Sequence, residues 1–361
     1  MQKMDKLLLA AVLCLSIFGL MMIYSSSSVW ALYRFGDSFH YVKYQAVFFL
    51  IGVFLMLIVS KINYSIYYRY SNLILFISFL LLVLVLIPGI GSIRNGSRSW
   101  FGIGSFGIQP SEAAKISLII FTSKYLSSSQ DYIKSYFKGV FPILLVAFLF
   151  FGLIMLQPDL GTGLILFISI LSILLIAGVD WKFFAVGGVL GVAGIVFLIL
   201  IAPYRMNRIT SFLNPWNDAL GTGFQMIQSL YAIGPGGLLG MGYLHSIQKH
   251  FYLPEPQTDF IFSIIAEEFG VVGCLFVVSL FGLILYRGIC ISNNCSDLFG
   301  KYLSFGILFQ LIFQAIMNLM VVVGLIPVTG VTLPFLSYGG SSLLISMVSI
   351  GILLNISRNN S

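Results

Sequence analysis

The segment Leu253-Pro-Glu-Pro-Gln-Thr-Asp-Phe260-Ile-Phe-Ser-Ile-Ile265 stands at the start of an apolar run that continues to residue 286. A helix needs about 20 apolar residues to cross the hydrocarbon core of a bilayer, and this run is long enough. Asp259 therefore lies at the edge of a predicted membrane span. Ionisable side chains at such positions are costly and commonly functional, so Asp259 is the first candidate site residue.

The composition of the whole chain is that of a membrane protein. Hydrophobic residues make up 59% of the 361 residues and charged residues 9%, and the mean hydropathy is +1.02. A soluble domain carries about a quarter charged residues. The net charge of +7 is not concentrated in a dense basic patch, so no nucleic-acid partner is expected.

Cysteine and histidine are too few and too scattered to predict a metal site. Three histidines do not suffice for a histidine cage, and no histidine lies beside the two cysteines that share a loop. We expect ordinary thiols at Cys14, Cys274, Cys290 and Cys295.

Ten apolar segments of spanning length predict an all-α polytopic membrane protein with about ten transmembrane helices. None alternates as barrel strands do, which excludes a transmembrane β-barrel. No small-residue cleavage site follows the first segment, so it is interpreted as a retained helix and not as a signal peptide. The predicted spans are 7–24, 44–60, 71–91, 112–127, 139–157, 161–178, 183–202, 260–286, 302–324 and 341–356.

Lysine and arginine are more frequent in the loops on the side of the N-terminus, which predicts that both termini are cytoplasmic. Residues 203–259 then form a large extracytoplasmic loop between spans 7 and 8, within a single domain of residues 1–361. The outer loops at 92–111, 203–259 and 327–342 hold the unusual polar sequence, whereas the inner loops are short. We therefore expect the functional site to face outward.

The start of the fourth span, Gln109-Pro-Ser-Glu-Ala-Ala-Lys115, is typical of a helix N-terminus. Pro110 suits the first turn, Ser111 is able to cap it, and Glu112 favours the positive end of the helix dipole. Glu112 and Lys115 are three residues apart, so they share a helix face and can pair. Two interpretations remain open: a structural salt bridge, or a lysine that Glu112 holds toward a phosphate.

Other carboxylates also have two interpretations. Asp159, in Gln157-Pro-Asp-Leu-Gly-Thr162, is either a turn or cap residue or a partner for Lys115, an arginine or a metal ion. Asp259 also fits the role of an N-cap. Glu267 and Glu268 point to different sides of a helix, so at least one of them must find a buried partner or water.

The glycine-rich run Gly234-Pro-Gly-Gly-Leu-Leu-Gly240 does not fit the G-x-G-x-x-G pattern, and no predicted strand precedes it. A dinucleotide site is therefore not expected. We expect these glycines to serve turns or close backbone contacts.

Five motifs, in this order among the spans, resemble the SEDS family (shape, elongation, division and sporulation) over nearly the whole chain. They are Arg94-Asn-Gly-Ser-Arg-Ser-Trp100, Gln109-Pro-Ser-Glu112, Gln157-Pro-Asp-Leu-Gly-Thr162, Leu253-Pro-Glu-Pro-Gln-Thr-Asp-Phe-Ile-Phe262 and Pro334-Phe-Leu-Ser-Tyr-Gly-Gly-Ser-Ser342. The first and fourth are more similar to the division and sporulation branch of the family than to its elongation branch.

The resemblance implies a peptidoglycan glycosyltransferase that polymerises lipid II at the outer face of the bacterial cytoplasmic membrane, in cell division or sporulation. The essential aspartate of the family matches Asp259. Residues that line its central cavity match Glu112, Lys115, Asp159 and the segment with Ser337, Ser341 and Ser342. The implied partners are lipid II, the growing lipid-linked glycan, membrane lipid and a class B penicillin-binding transpeptidase.

Such a reaction requires a general base for the attacking hydroxyl, for which Asp259 is the candidate. It also requires positive charge beside the leaving diphosphate. The candidates for that charge are Arg98, Lys115, Arg205, Arg208 and Lys249. A divalent cation (Mg²⁺ or Mn²⁺) held partly by Asp159 is the one cofactor considered, and no organic cofactor is expected.

Two other functions fit part of the pattern. A transporter that flips lipid II also contains intramembrane carboxylates and broken helices. No inverted repeat is evident, however, and the polar loops lie on one face only. A scaffold that recruits a transpeptidase leaves the intramembrane carboxylates unexplained.

Overall fold

The computed structural model describes residues 4–94, 96–102, 107–132, 135–201, 206, 210–221 and 223–359. The helices are α1 Lys6–Phe35, α2 His40–Val59, α3 Ser65–Leu86, α4 Pro110–Ser128, α5 Phe141–Met155, α6 Leu160–Ile176, α7 Trp181–Ile201, α8 Phe224–Ile233, α9 Ile261–Asn293, α10 Leu298–Val322 and α11 Gly340–Asn359. A π-helical turn, Tyr136–Val140, leads into α5. Two short strands, β1 Ser92–Arg94 and β2 Ser97–Trp100, form an antiparallel hairpin.

A helix corresponds to every predicted span, so the all-α multi-pass fold is confirmed. In the part of the chain that the structure describes, seven helices are long and apolar enough to cross a bilayer. The other three predicted spans correspond to α4, α6 and α7, of which α6 has only 17 residues. The number of ten spans, like the assignment of residues 203–259 to one outer loop, stays a prediction.

The first span is longer than predicted. The run Ser25–Ser28 ends the apolar pattern, yet α1 continues through it to Phe35. The Ser27 hydroxyl donates to the carbonyl of Ile23 at 2.6 Å, and the Ser26 hydroxyl donates to the same carbonyl at 3.3 Å. Serines that return their hydroxyl to the preceding turn can remain inside a buried helix. The helix ends at Gly36, whose φ is +69°.

Side-chain hydrogen bonds and an ion pair distinguish the two ends of the helix bundle. At one end Arg287 pairs with Asp5 at 2.7 Å, and Asn355 accepts a hydrogen bond from the Tyr64 N–H at 2.9 Å. At the other end Gln109 donates to Asp159 at 3.2 Å. The first end holds the N-terminus and is the predicted cytoplasmic end. The second is the predicted outer end.

The helices that carry the candidate residues pack closely together. α4 contacts α3, α6 and α10, while α11 packs along α2 and α1 packs along α9. Leu118 and Ile119 of α4 and Ile307 of α10 belong to the buried apolar core. Above this core, toward the outer end, α4 and α10 turn polar side chains inward.

Helix α9 is broken at Gly270, where φ is +60° and ψ is −153°. The break leaves the carbonyls of Glu267 and Glu268 without helical partners. The N–H groups of Met241 and Gly242 donate to them at 2.9 and 3.0 Å. The loop that precedes α9 therefore closes back onto the broken helix.

The glycine-rich run makes this close approach feasible. A Cβ on Gly240 would lie 2.2 Å from the carbonyl oxygen of Glu268, and one on Gly236 would lie 2.0 Å from that of Ala266. The expectation that these glycines serve close backbone contacts is confirmed.

Candidate active site

The segment of residues 329–332, between α10 and α11, is the common neighbour of three candidate elements at the outer end. A Cβ on Gly161, at the start of α6, would lie 2.9 Å from the carbonyl oxygen of Thr329. A Cβ on Gly330 would lie 3.8 Å from Asp259 Oδ2. Gln314 of α10 donates to the carbonyl of Thr332 at 3.1 Å. The elements that carry Asp159 and Asp259 thus meet at this segment.

Asp259 is half-buried and lies two residues before the first residue of α9. The N-cap residue of α9 is Phe260, so the alternative that Asp259 is the N-cap is wrong. The main-chain carbonyl of Asp259 instead accepts a hydrogen bond from the Asn318 side chain at 2.8 Å. The backbone of the candidate base is therefore fixed by a side chain of α10.

Glu112 and Lys115 form the predicted ion pair, with 3.0 Å between Lys115 Nζ and Glu112 Oε1. The pair is buried, and Lys115 Nζ also donates to Gln314 at 2.7 Å. An ammonium has three N–H donors, so these two bonds to described residues leave one N–H for a further acceptor. The cap expectation for Ser111 is wrong, because α4 begins at Pro110 and Gln109 is its N-cap residue.

Asp159 is the N-cap of α6 and accepts a hydrogen bond from the Thr162 N–H at 3.0 Å. Its second oxygen accepts from Gln109 at 3.2 Å. Burial raises the pKa of the Asp159 carboxyl, and the bonds from Thr162 oppose that rise. Glu112 raises this pKa further and Lys115 lowers it. Asp159 therefore shares one electrostatic environment with the Glu112–Lys115 pair, while it also caps the helix.

The three candidate serines bond to loop residues, and Ser341 joins two loops, whereas Ser337 and Ser342 bond within their own loop. Ser341 accepts from the Gln109 N–H at 3.1 Å and donates to the carbonyl of Gly107 at 2.7 Å. Ser342 accepts from the Thr332 hydroxyl at 3.2 Å, and Ser337 accepts from the Leu333 N–H at 2.9 Å. These hydroxyls support the walls of the site. Their contact with substrate stays a prediction.

Of the three candidate arginines, only Arg98 lies among the described residues. Arg98 lies on β2 and donates to the carbonyl of Leu86, at the C-terminus of α3, at 3.4 Å. A cation at this position interacts favourably with the helix dipole. Arg205 and Arg208 lie outside the described residues.

Lys249 belongs to a different group of residues. Its ammonium is buried and donates to Glu268 at 3.0 Å and to Ser25 of α1 at 3.2 Å. The neighbouring Glu267 accepts from the Ser246 hydroxyl at 2.5 Å and from the Ile247 N–H at 2.7 Å. The expected buried partners of Glu267 and Glu268 are confirmed. The structure shows Lys249 in a buried ion pair with Glu268, and a contact between Lys249 and a diphosphate stays a prediction.

Lys249→Met is expected to destabilise the protein strongly, because it leaves the Glu268 charge buried and unpaired. Removing one partner of a buried pair costs roughly 3–5 kcal/mol. The double variant Lys249→Met/Glu268→Gln removes both charges and is expected to regain most of that stability and to retain activity. Thermal unfolding in detergent measures the stability, and consumption of lipid II, the substrate that the family resemblance implies, measures the activity. A double variant that is stable but inactive would instead support contact between Lys249 and substrate.

Two residues of the site were not among the sequence candidates. Gln314 and Asn318 lie on one face of α10, four residues apart, and Gln310 precedes them at the same spacing. All three are buried. Polar side chains inside an apolar span are energetically costly. Three amides on one helix face are therefore the sequence signal that could have identified these residues as site candidates.

A resident metal cage does not fit the residues present. Both oxygens of Asp159 already accept hydrogen bonds. Among the described residues, no group of three or more His, Cys, Asp or Glu side chains is placed to hold a metal ion. An Mg²⁺ or Mn²⁺ ion that uses one carboxylate, water and the substrate diphosphate needs no such cage and stays a prediction.

Residues 5–361 match the model of the family described as "Cell cycle protein", FtsW/RodA/SpoVE. This chain belongs to that family. It is 51% identical to stage V sporulation protein E of Bacillus subtilis over 98% of this chain and 97% of that protein. It is 42% identical to the probable peptidoglycan glycosyltransferase FtsW of Trichlorobacter lovleyi, over 98% and 93% of the two chains. The resemblance to the SEDS family is confirmed, and with it a multi-pass protein of the bacterial cytoplasmic membrane.

Solved structures agree with this membership. A chain described under "Structural coordination of polymerization and crosslinking by a peptidoglycan synthase complex" superposes with a TM-score of 0.83 at 30% identity, covering 100% of this chain and 99% of that one. The rod shape determining protein RodA of Thermus thermophilus superposes with a TM-score of 0.73 at 27% identity, over 99% and 97%. Both similarities therefore extend over nearly the whole length of the chain.

Proposed function

We propose that this protein is a peptidoglycan glycosyltransferase that polymerises lipid II at the outer face of the cytoplasmic membrane, in cell division or sporulation. The observation that supports it most is the junction at residues 329–332, where the elements bearing Asp259 and Asp159 meet beside the Glu112–Lys115 pair. A relative that is 42% identical has the same activity in its name.

The proposed reaction is a single displacement at an anomeric carbon. A hydroxyl of one sugar attacks, the Asp259 carboxylate accepts its proton, and the lipid diphosphate of the other substrate leaves. The remaining N–H of Lys115 stabilises the charge that develops on that diphosphate. Inversion at the anomeric carbon follows from one displacement, by analogy with inverting glycosidases. Apolar grooves between the helices take the polyprenyl tail.

The partner proposed for this enzyme is a class B penicillin-binding transpeptidase, which would cross-link the strands that it makes. The similarity to a chain from a peptidoglycan synthase complex, in which polymerisation and cross-linking are coordinated, supports this pairing. The other proposed contacts are the growing lipid-linked glycan and membrane lipid.

Glycan formation from purified lipid II in detergent tests the proposal, because no two-sided membrane exists there. The purified protein is incubated with lipid II, alone and with a class B transpeptidase, and the products are separated by length. Strands longer than the substrate are expected. A flippase or a scaffold gives none, so absence of product in both samples would contradict the proposal. A parallel sample with EDTA, in which the rate is expected to fall, tests the predicted divalent cation.

A further inference from the structure

The side-chain amide of Asn318 bonds to the main chain of two separate segments. Its Nδ2 donates to the carbonyl of Asp259 at 2.8 Å and to the carbonyl of Val331 at 2.8 Å. An amide nitrogen has two hydrogens, so its donor capacity is fully used. The residue that carries the candidate base and the 329–332 segment are therefore bridged by one buried side chain.

The backbone at Asp259 needs such support. Asp259 precedes the first residue of α9, Ile261, so the regular hydrogen bonds of that helix do not fix its carbonyl. Asn318 donates the hydrogen bond that this partly buried carbonyl accepts. The position of the carboxylate thus depends on a side chain that is distant in sequence.

The same helix also fixes the cation. One turn before Asn318, Gln314 accepts from Lys115 at 2.7 Å and donates to the carbonyl of Thr332 at 3.1 Å. Gln314 and Asn318 therefore hold Lys115, Asp259 and the 329–332 segment against one face of α10. Their four-residue spacing sets where the base and the cation lie relative to each other.

We propose that Asn318 is a positioning residue, which holds the Asp259 carboxylate at a fixed place relative to Lys115. This inference rests on the proposed function, in which Asp259 is the base. A displacement of about 1 Å in a reacting group can lower a rate by about 10²-fold. Loss of Asn318 therefore lowers kcat, while KM for lipid II changes little because the substrate contacts remain.

The NH₂ group of the Asn318 side chain, and not its amide oxygen, explains why an amide is needed at this position. Among the described residues, Asn318 Oδ1 is buried and accepts no hydrogen bond. An unsatisfied buried acceptor is unfavourable. Leucine is similar in size and would avoid that cost, but it would remove the hydrogen bonds that Asn318 donates to the carbonyls of Asp259 and Val331.

The test compares Asn318→Leu with Asn355→Leu, a control matched in residue type and burial. Asn355 is 3% exposed and Asn318 is 1% exposed. Asn355 also bonds to the main chain at two points, since it donates to the carbonyl of Ser60 at 3.0 Å and accepts from the Tyr64 N–H at 2.9 Å, both in the loop between α2 and α3. It does so at the opposite end of the bundle. The two variants therefore lose similar structural bonds at different distances from the site.

Two measurements are made on the purified full-length proteins. The first is kcat and KM for lipid II: Asn318→Leu is expected to lower kcat by about 10²-fold with KM nearly unchanged, and Asn355→Leu to change neither strongly. The second is hydrogen exchange, which needs no activity. Peptides covering residues 253–262 and 327–336 are expected to exchange at least about tenfold faster in Asn318→Leu only.

An unchanged kcat in Asn318→Leu would overturn the positioning role. An equal fall in kcat in Asn355→Leu would overturn it as well. If the wild-type protein forms no glycan, the proposed function fails. The hydrogen-exchange measurement alone then decides whether Asn318 holds the two segments. Unchanged exchange in Asn318→Leu would overturn that role. Asn318→Ala is the second variant should leucine not fit. If neither folds while Asn355→Leu does, the role of Asn318 is structural and the proposal fails.

Discussion

Asp259→Asn is expected to abolish glycan polymerisation while the protein still folds and inserts into the membrane. The asparagine amide cannot accept the proton of the attacking hydroxyl, and a positioned base contributes roughly 10²–10⁴-fold to such a rate. The substitution preserves the size of the side chain. The bond from Asn318 reaches the main-chain carbonyl of Asp259 and does not depend on the carboxylate. The rate of lipid II consumption and the thermal unfolding temperature, measured on the same preparation, check both halves of this expectation.

Asp37→Asn provides the matched control. Asp37 is a carboxylate in the predicted outer loop between α1 and α2, where it pairs at the surface with Lys43 at 2.8 Å. Surface ion pairs contribute little to stability, so this variant is expected to behave as the wild type. Near-normal synthesis by Asp259→Asn, in a preparation free of other polymerases, would contradict the general-base role.

Gly270→Ala is expected to destabilise the protein strongly. With φ at +60° and ψ at −153°, Gly270 occupies backbone space that is essentially restricted to glycine, where other residues cost roughly 1–3 kcal/mol. The added Cβ would also lie 2.5 Å from the main-chain nitrogen of Gly240. Overpacking of this kind typically costs about 1–3 kcal/mol more. The break in α9 and the loop closed onto it are therefore expected to separate.

Gly282→Ala, in the same helix beyond the break, is the control for this prediction. A Cβ on Gly282 would meet nothing within 4 Å. Alanine is favoured over glycine inside a helix by roughly 0.5–1 kcal/mol, so no loss of stability is expected. Thermal unfolding of the two variants in detergent gives the comparison. Equal unfolding temperatures would show that the backbone at Gly270 is not constrained as described.

Features set by local spacing could be predicted from the sequence. Apolar runs of about 20 residues predict spanning helices, and each run corresponds to a helix in the structure. Glu112 and Lys115 share a helix face because they are three residues apart, and the ion pair at 3.0 Å confirms it. Such geometry depends only on the helix itself.

Features set by distant contacts could not be predicted. Lys249 lies in the predicted outer loop, and nothing near it in sequence indicates that it pairs with Glu268 and Ser25. That pairing exists because α9 breaks at Gly270 and the loop returns along it. A single glycine in an apolar run does not predict the break, since most such glycines remain helical.

The position of the α10 amides could be predicted from the sequence only in part. Their spacing predicts that Gln310, Gln314 and Asn318 share a face. It does not predict what that face meets, because Lys115 and the carbonyl of Asp259 come from other parts of the chain. The same holds for Asp159, whose sequence fits both a cap and a site residue. The structure shows the cap and also a hydrogen bond to Asp159 from Gln109, which lies three residues before Glu112.

The most direct test of the proposed site is a structure of Asp259→Asn with unreacted lipid II bound, which the loss of polymerisation is expected to permit. We expect a diphosphate oxygen within hydrogen-bond distance of Lys115 Nζ, about 2.7–2.9 Å, and a sugar hydroxyl beside residue 259. A diphosphate bound away from Lys115, at the opposite end of the bundle or against Lys249, would contradict this expectation.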